Sequence, residues 1–85
     1  MIAPELLEIL VCPETRSAVR PAGHDVLSRV NAAVASGTLQ NRGGDAVREP
    51  LLEGLLRDDG LVLYPVRDGI PIMLIDEAIP LETLP

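Results

Sequence analysis

The chain has 85 residues, a length that admits one domain over 1–85 and leaves a small core that is only marginally stable alone. Cys12 is the only cysteine and His24 the only histidine, which excludes an internal disulfide and leaves too few soft donors for a closed metal site, so no cofactor is expected. The formal net charge is −6, Lys is absent and Tyr64 is the only aromatic residue, so phosphate backbones are repelled and base stacking has no platform, and direct nucleic-acid binding is not expected.

Pro4 suits the first turn of a short N-terminal helix, with Leu6, Leu7, Ile9 and Leu10 as its apolar residues and Glu5 near its positive end. Pro13 ends that helix at Cys12. Glu14 to Ser17 reads as a turn and Ala18–Arg20 as a short strand before Pro21. Nothing in the first residues has the basic region of a signal peptide, and no apolar run reaches the ~18 residues of a membrane span, so a cytoplasmic protein with no membrane partner is expected.

The clearest element is a helix over 24–35. Val26, Leu27, Val30, Ala33 and Val34 fall on one helical face, and Asp25, Ser28, Arg29 and Asn31 fill the other. Gly37 suits a left-handed C-terminal cap. Thr38–Asn41 and Ala46–Arg48 read as strands around a turn at Gly43-Gly44, with Pro50 interrupting the second. Gly43-Gly44 is not a phosphate loop, since the Lys and the Ser or Thr that would follow are missing.

Leu51–Arg57 and Leu61–Val66 flank Asp58-Asp59-Gly60, which is a hairpin signal. Leu61–Val66 is apolar on both faces and is expected to be covered on both sides. Adjacent acids such as Asp58-Asp59 and Asp76-Glu77 are read as solvated turn residues rather than divalent-cation ligands. Arg67-Asp68-Gly69 turns the chain again. Asp68 is expected to shape this turn through backbone hydrogen bonds, the alternative being an exposed pair with Arg67, and Gly69 is expected to supply a positive φ. Pro71 restricts 70–75 to an edge strand running into a helical turn near 71–74, with a loop or one-turn helix at 76–78 and a loosely held tail over 79–85.

Two of these segments carry a likeness. Leu6-Leu7-Glu8-Ile9-Leu10-Val11-Cys12-Pro13 and Tyr64-Pro65-Val66-Arg67-Asp68-Gly69-Ile70-Pro71 together resemble the small activator subunits of tRNA and release-factor methyltransferases, and the second segment is similar to the ending of their short bacterial YcaR-like branch. The resemblance covers 6–13 and 61–78, with 23–37 in the place of a helical insertion. It implies a zinc-ribbon-like core. Relatives read Cys-Pro-x-Cys at the first knuckle, whereas here Thr15 stands for the second ligand and Arg57 lies near the place of a later one, so the metal role is read as lost. Cys12 is then a small buried hydrophobe, a reactive thiol being the alternative.

The expected fold is α+β: an antiparallel sheet of about four strands, one inserted helix packed against it and a short N-terminal helix. The resemblance implies a non-catalytic subunit whose partner is a class I S-adenosylmethionine-dependent methyltransferase, contacted through Leu7, Val11, Ile70, Pro71, Ile72, Met73 and Leu74. Met73 is the preferred contact because Met adapts to irregular surfaces, while core positions are the preferred reading for Ile70, Ile72 and Leu74 taken singly. The alternative is a self-associating structural protein in which the same apolar edge forms a homodimer. His24 has no nucleophile arranged beside it in sequence, and no enzyme constellation is legible.

Overall fold

The computed structural model describes residues 10–13 and 15–81; most of the N-terminal helix expected from Pro4 to Cys12 and the contact residue Leu7 lie outside the described residues, and the end of that helix is corrected, since Val11 bridges Ala18 and the Cys12 N–H bonds the Ser17 carbonyl. Five strands form one antiparallel sheet: β1 (Val19–Pro21), β2 (Glu53–Arg57), β3 (Val62–Arg67), β4 (Ile70–Pro71) and β5 (Ile79–Pro80). The order runs β1-β2-β3-β4, and β5 also pairs with β3. Among the described residues one α-helix, α1 (His24–Ser36), enters between β1 and β2. The fold is thus the α+β arrangement expected, with a fifth strand taken from the segment read as loose tail. Ile79 is 1% exposed and its strand pairs Val62 with Pro80 and Leu63 with Ile79, which fixes that segment to the sheet.

α1 forms where its apolar spacing requires. Val30, Ala33 and Val34 are buried on the sheet side, with Val26 and Leu27 half-buried beside them. Gly37 takes φ 74°; its N–H bonds the Val34 carbonyl at 3.1 Å and the Thr38 N–H bonds the Ala33 carbonyl at 3.2 Å. These two bonds satisfy carbonyls that the helix end leaves open, and the left-handed φ is the reason for glycine there.

β3 is the central strand and is buried on both faces. Leu63 points to α1, in a cluster with Leu51, Leu56 and Ile79. Val62, Tyr64 and Val66 point the other way, to a second cluster with Cys12, Val19, Leu55 and Ala78, which Leu10 and Met73 cover in part. The alternation follows from the two-residue period of a strand. Gly54 permits the first packing: a Cβ there would come within 2.9 Å of a Leu63 methyl group.

Pro65 sits inside this strand without breaking the sheet. Its carbonyl accepts from the Ile72 N–H at 2.9 Å, so its nitrogen faces the same side. That side is where β4 ends and β5 has not begun, since β4 pairs with Val66 and Arg67 and β5 with Val62 and Leu63. The missing donor falls in the seam between two short edge strands, a position open to proline.

Two further expectations are corrected and one alternative is set aside. Thr38–Asn41 and Ala46–Arg48 are not strands; they share one isolated bridge, Gln40 with Ala46. The backbone between them bonds elsewhere, the Arg42 N–H to the Ala78 carbonyl and the Gly43 N–H to the Asp76 carbonyl, both at 2.9 Å. No helical turn forms at 71–74, where the Ile72 N–H is held on Pro65 and Leu74 stays extended (φ −109°, ψ 134°); the one-turn helix expected at 76–78 is a 3-10 turn over Ile75–Glu77. Arg67 does not look to Asp68 for its hydrogen bonds; its guanidinium donates to the Pro50 and Glu49 carbonyls at 2.9 and 3.1 Å. Asp68 (φ 52°) and Gly69 (φ 76°) shape the β3–β4 turn through two successive left-handed residues, the arrangement of a two-residue hairpin loop.

Candidate functional site

β3 presents one edge to two short strands, and the chain leaves that edge between them. Residues 72–78 form the excursion. Its base is held by the Ile72–Pro65 bond on one side and by the entry to β5 on the other. The loop 41–45 backs it through the Arg42–Ala78 and Gly43–Asp76 bonds. Gly43 is needed for that approach, because a Cβ at this position would lie 3.1 Å from the Asp76 Cβ.

The excursion and the strand β4 that leads into it display apolar side chains. Ile70 is 63% exposed and Leu74 61%, so the core positions expected for these two are corrected; Ile75, absent from the expected set, is 42% exposed. Pro71 and Ile72 are half-buried. Met73, the preferred contact, is half-buried too, and it packs on the cluster around Tyr64. Val11, 43% exposed, forms an isolated bridge with Ala18. The period-2 pattern that would have separated exposed from buried positions is lost here, because β4 is only two residues long. A broad, shallow depression of about 680 Å³ is lined by Pro13, Met73, Leu74 and Ile75 together with Asp45, Asp76 and Glu77.

A second constellation lies in the core on the face of the sheet away from α1, the face on which Met73 packs. Cys12 is fully buried and its Sγ lies 2.7 Å from the Tyr64 hydroxyl. The Arg57 guanidinium reaches the same sulfur at 3.8 Å. Arg57 is 6% exposed and is neutralised by Asp59, with contacts of 2.8 and 2.9 Å. The Arg57 guanidinium, followed by the Leu61 N–H, holds the Asp59 carboxyl below its ordinary value of 3.8. This arrangement does not fit a zinc site. A thiolate-bound zinc would stand ~2.3 Å from the sulfur, beside an existing cation and in contact with a phenol. Among the described residues no group of three or more His, Cys, Asp or Glu side chains is placed to hold a metal. Full burial gives Cys12 the environment of a packed side chain.

The remaining titratable residues are placed apart from both. His24 is exposed at the start of α1, with its Nε2 3.2 Å from the Ser28 hydroxyl. Asn31 is the residue that sequence patterning missed. Assigned to the outer face of α1, it is half-buried, and its amide binds both backbone groups of Leu51: Oδ1 accepts from the Leu51 N–H at 2.7 Å and Nδ2 donates to the Leu51 carbonyl at 2.9 Å. Its position beside the buried Val30 was the available signal. No helix among the described residues is long and apolar enough to cross a membrane.

No family model matches the chain. The chain is 40% identical over 79 residues to a UPF0434 protein of Maricaulis maris, covering 91% of this chain and 79% of that one. It is 36% identical over 77 residues to a UPF0434 protein of a Bradyrhizobium strain, covering 91% and 77%. A solution NMR structure of a protein from Xylella fastidiosa superposes with a TM-score of 0.79 at 31% identity, covering 94% of this chain and 82% of that one.

Proposed function

The chain belongs to the UPF0434 family, and we propose that it is a non-catalytic accessory subunit that binds and stabilises an S-adenosylmethionine-dependent methyltransferase acting on the translation machinery. The observation that carries this reading is the exposure of Ile70, Leu74 and Ile75 on one short segment. Apolar side chains grouped on the surface of so small a protein are the usual mark of a partner site. The segment is also braced from behind by the loop 41–45, so little ordering is needed on association. The likeness of 6–13 and 64–71 to methyltransferase activators supplies the class of partner.

The test is co-expression of the tagged chain with methyltransferases from its native host, followed by co-purification and a stability measurement on the enzyme. The expected result is a stoichiometric complex and a higher melting temperature for the methyltransferase. Leu74→Asp is the discriminating variant, in preference to a change at Met73, which packs on the core. It should abolish capture and leave the subunit's own unfolding transition in place. Capture that survives Leu74→Asp removes the segment from the interface, and an absence of any methyltransferase removes the reading.

A further inference from the structure

We infer that the depression floored by Met73, Leu74 and Ile75 docks a cationic protein surface, an apolar patch flanked by Lys or Arg, and does not pair with a second copy of this chain. The inference rests on the reading of the chain as a binding module and adds the chemistry of the partner. Among the described residues, every charged one lining the depression is an acid: Asp45 on the backing loop, Asp76 and Glu77 on the 3-10 turn. These carboxylates share the lining with the apolar residues, so a partner that buries Leu74 and Ile75 comes against them. A rim of basic side chains is matched there, and an acidic rim or an anionic headgroup is repelled. Self-association meets the second condition. A two-fold symmetric pairing presents the same patch from both chains, so Asp76 and Glu77 would face an identical acidic rim, with a net charge of −6 on each chain adding to the repulsion.

The face is fixed in advance. Asp76 is held through its carbonyl by Gly43, and the Glu77 N–H bonds the Leu74 carbonyl at 3.1 Å. The relative placement of apolar floor and acidic rim is therefore a property of the free chain.

The probe is a pair of synthetic amphipathic helical peptides with one leucine face, flanked by Lys in the first and by Glu in the second, titrated into the isotopically labelled full chain and followed by NMR. The Lys peptide is expected to shift resonances of Met73 to Glu77 and Asp45 saturably, with affinity falling as salt is raised. The double change Asp76→Lys and Glu77→Lys should weaken it by about tenfold or more, while Asp25→Lys with Asp58→Lys, an equal change in net charge placed elsewhere, should leave it within about twofold. Equal binding of both peptides, equal loss with the remote pair, or a dimer in sedimentation that Leu74→Asp dissociates would each overturn the inference. A captured methyltransferase that ignores Asp76→Lys and Glu77→Lys overturns this docking face alone. Failure to capture any methyltransferase, with the Lys peptide still titrating the face, removes the accessory-subunit reading and leaves the docking face standing.

Discussion

Replacing Asn31 by Ala tests how the inserted helix is joined to the sheet. The side-chain amide of Asn31 treats Leu51 as a neighbouring strand would, receiving its N–H at 2.7 Å and donating to its carbonyl at 2.9 Å. Leu51 itself is 2% exposed in the cluster between α1 and the sheet. The alanine variant removes two hydrogen bonds, each worth ~1 kcal/mol net, and leaves two backbone groups to find water in a half-buried place, at up to ~1 kcal/mol more apiece. The expected loss is therefore about 2–4 kcal/mol, a large share of the ~4–13 kcal/mol that a chain of this length possesses. With a urea slope of ~1 kcal/mol/M, the unfolding midpoint measured by circular dichroism should fall by about 2 M or more with an unchanged slope. Asn31→Asp supplies a second arm. It keeps the acceptor for the Leu51 N–H but sets a carboxylate oxygen against the Leu51 carbonyl. It should match the alanine variant at neutral pH and regain stability on acidification, when the protonated carboxyl donates again. A midpoint for Asn31→Ala within ~0.5 kcal/mol of wild type would show that the clamp contributes nothing net and refute this account.

Other outcomes follow from the same contacts. Asp59 has a folded pKa below 3.8 because of Arg57, so its contribution to stability is present above that value and is lost as the pH falls through the folded pKa; the stability gap between wild type and Asp59→Asn should be flat near neutral pH and close in strong acid, as read by urea titrations across the acid range. Cys12, fully buried against Tyr64, should resist a thiol reagent such as Ellman's in the native chain and react only on unfolding, and rapid native labelling would contradict its placement. Gly54→Ala should cost about 1–3 kcal/mol, measured by thermal unfolding, because the new methyl meets a fully buried Leu63 at 2.9 Å and that side chain is enclosed by α1.

The local signals in the sequence were sufficient wherever one element decides its own geometry. The spacing of Val26, Leu27, Val30, Ala33 and Val34 with Gly37 beyond them specifies α1 and its cap without reference to anything distant. The run 51–66 around Asp58-Asp59-Gly60 likewise specifies the hairpin of β2 and β3, and its unbroken apolar character specifies cover on both faces. Single cysteine and histidine counts and the absence of lysine bound the chemistry before any fold is known. Tertiary structure decided the rest, for a common reason: each outcome depends on a partner far away in the chain. Cys12 meets Tyr64 across 52 positions, and Arg57 turns toward that sulfur because it shares the face of β2 with Leu55. The stretch 38–48 forms one bridge, Gln40 with Ala46, and the donors of its turn, Arg42 and Gly43, bond the distant Ala78 and Asp76 carbonyls. Most consequential for function, 70–75 has no periodicity to read. Ile70 and Leu74 face outward while Met73 turns in, because β3 offers its edge to two short strands and the chain between them must leave the sheet before it returns.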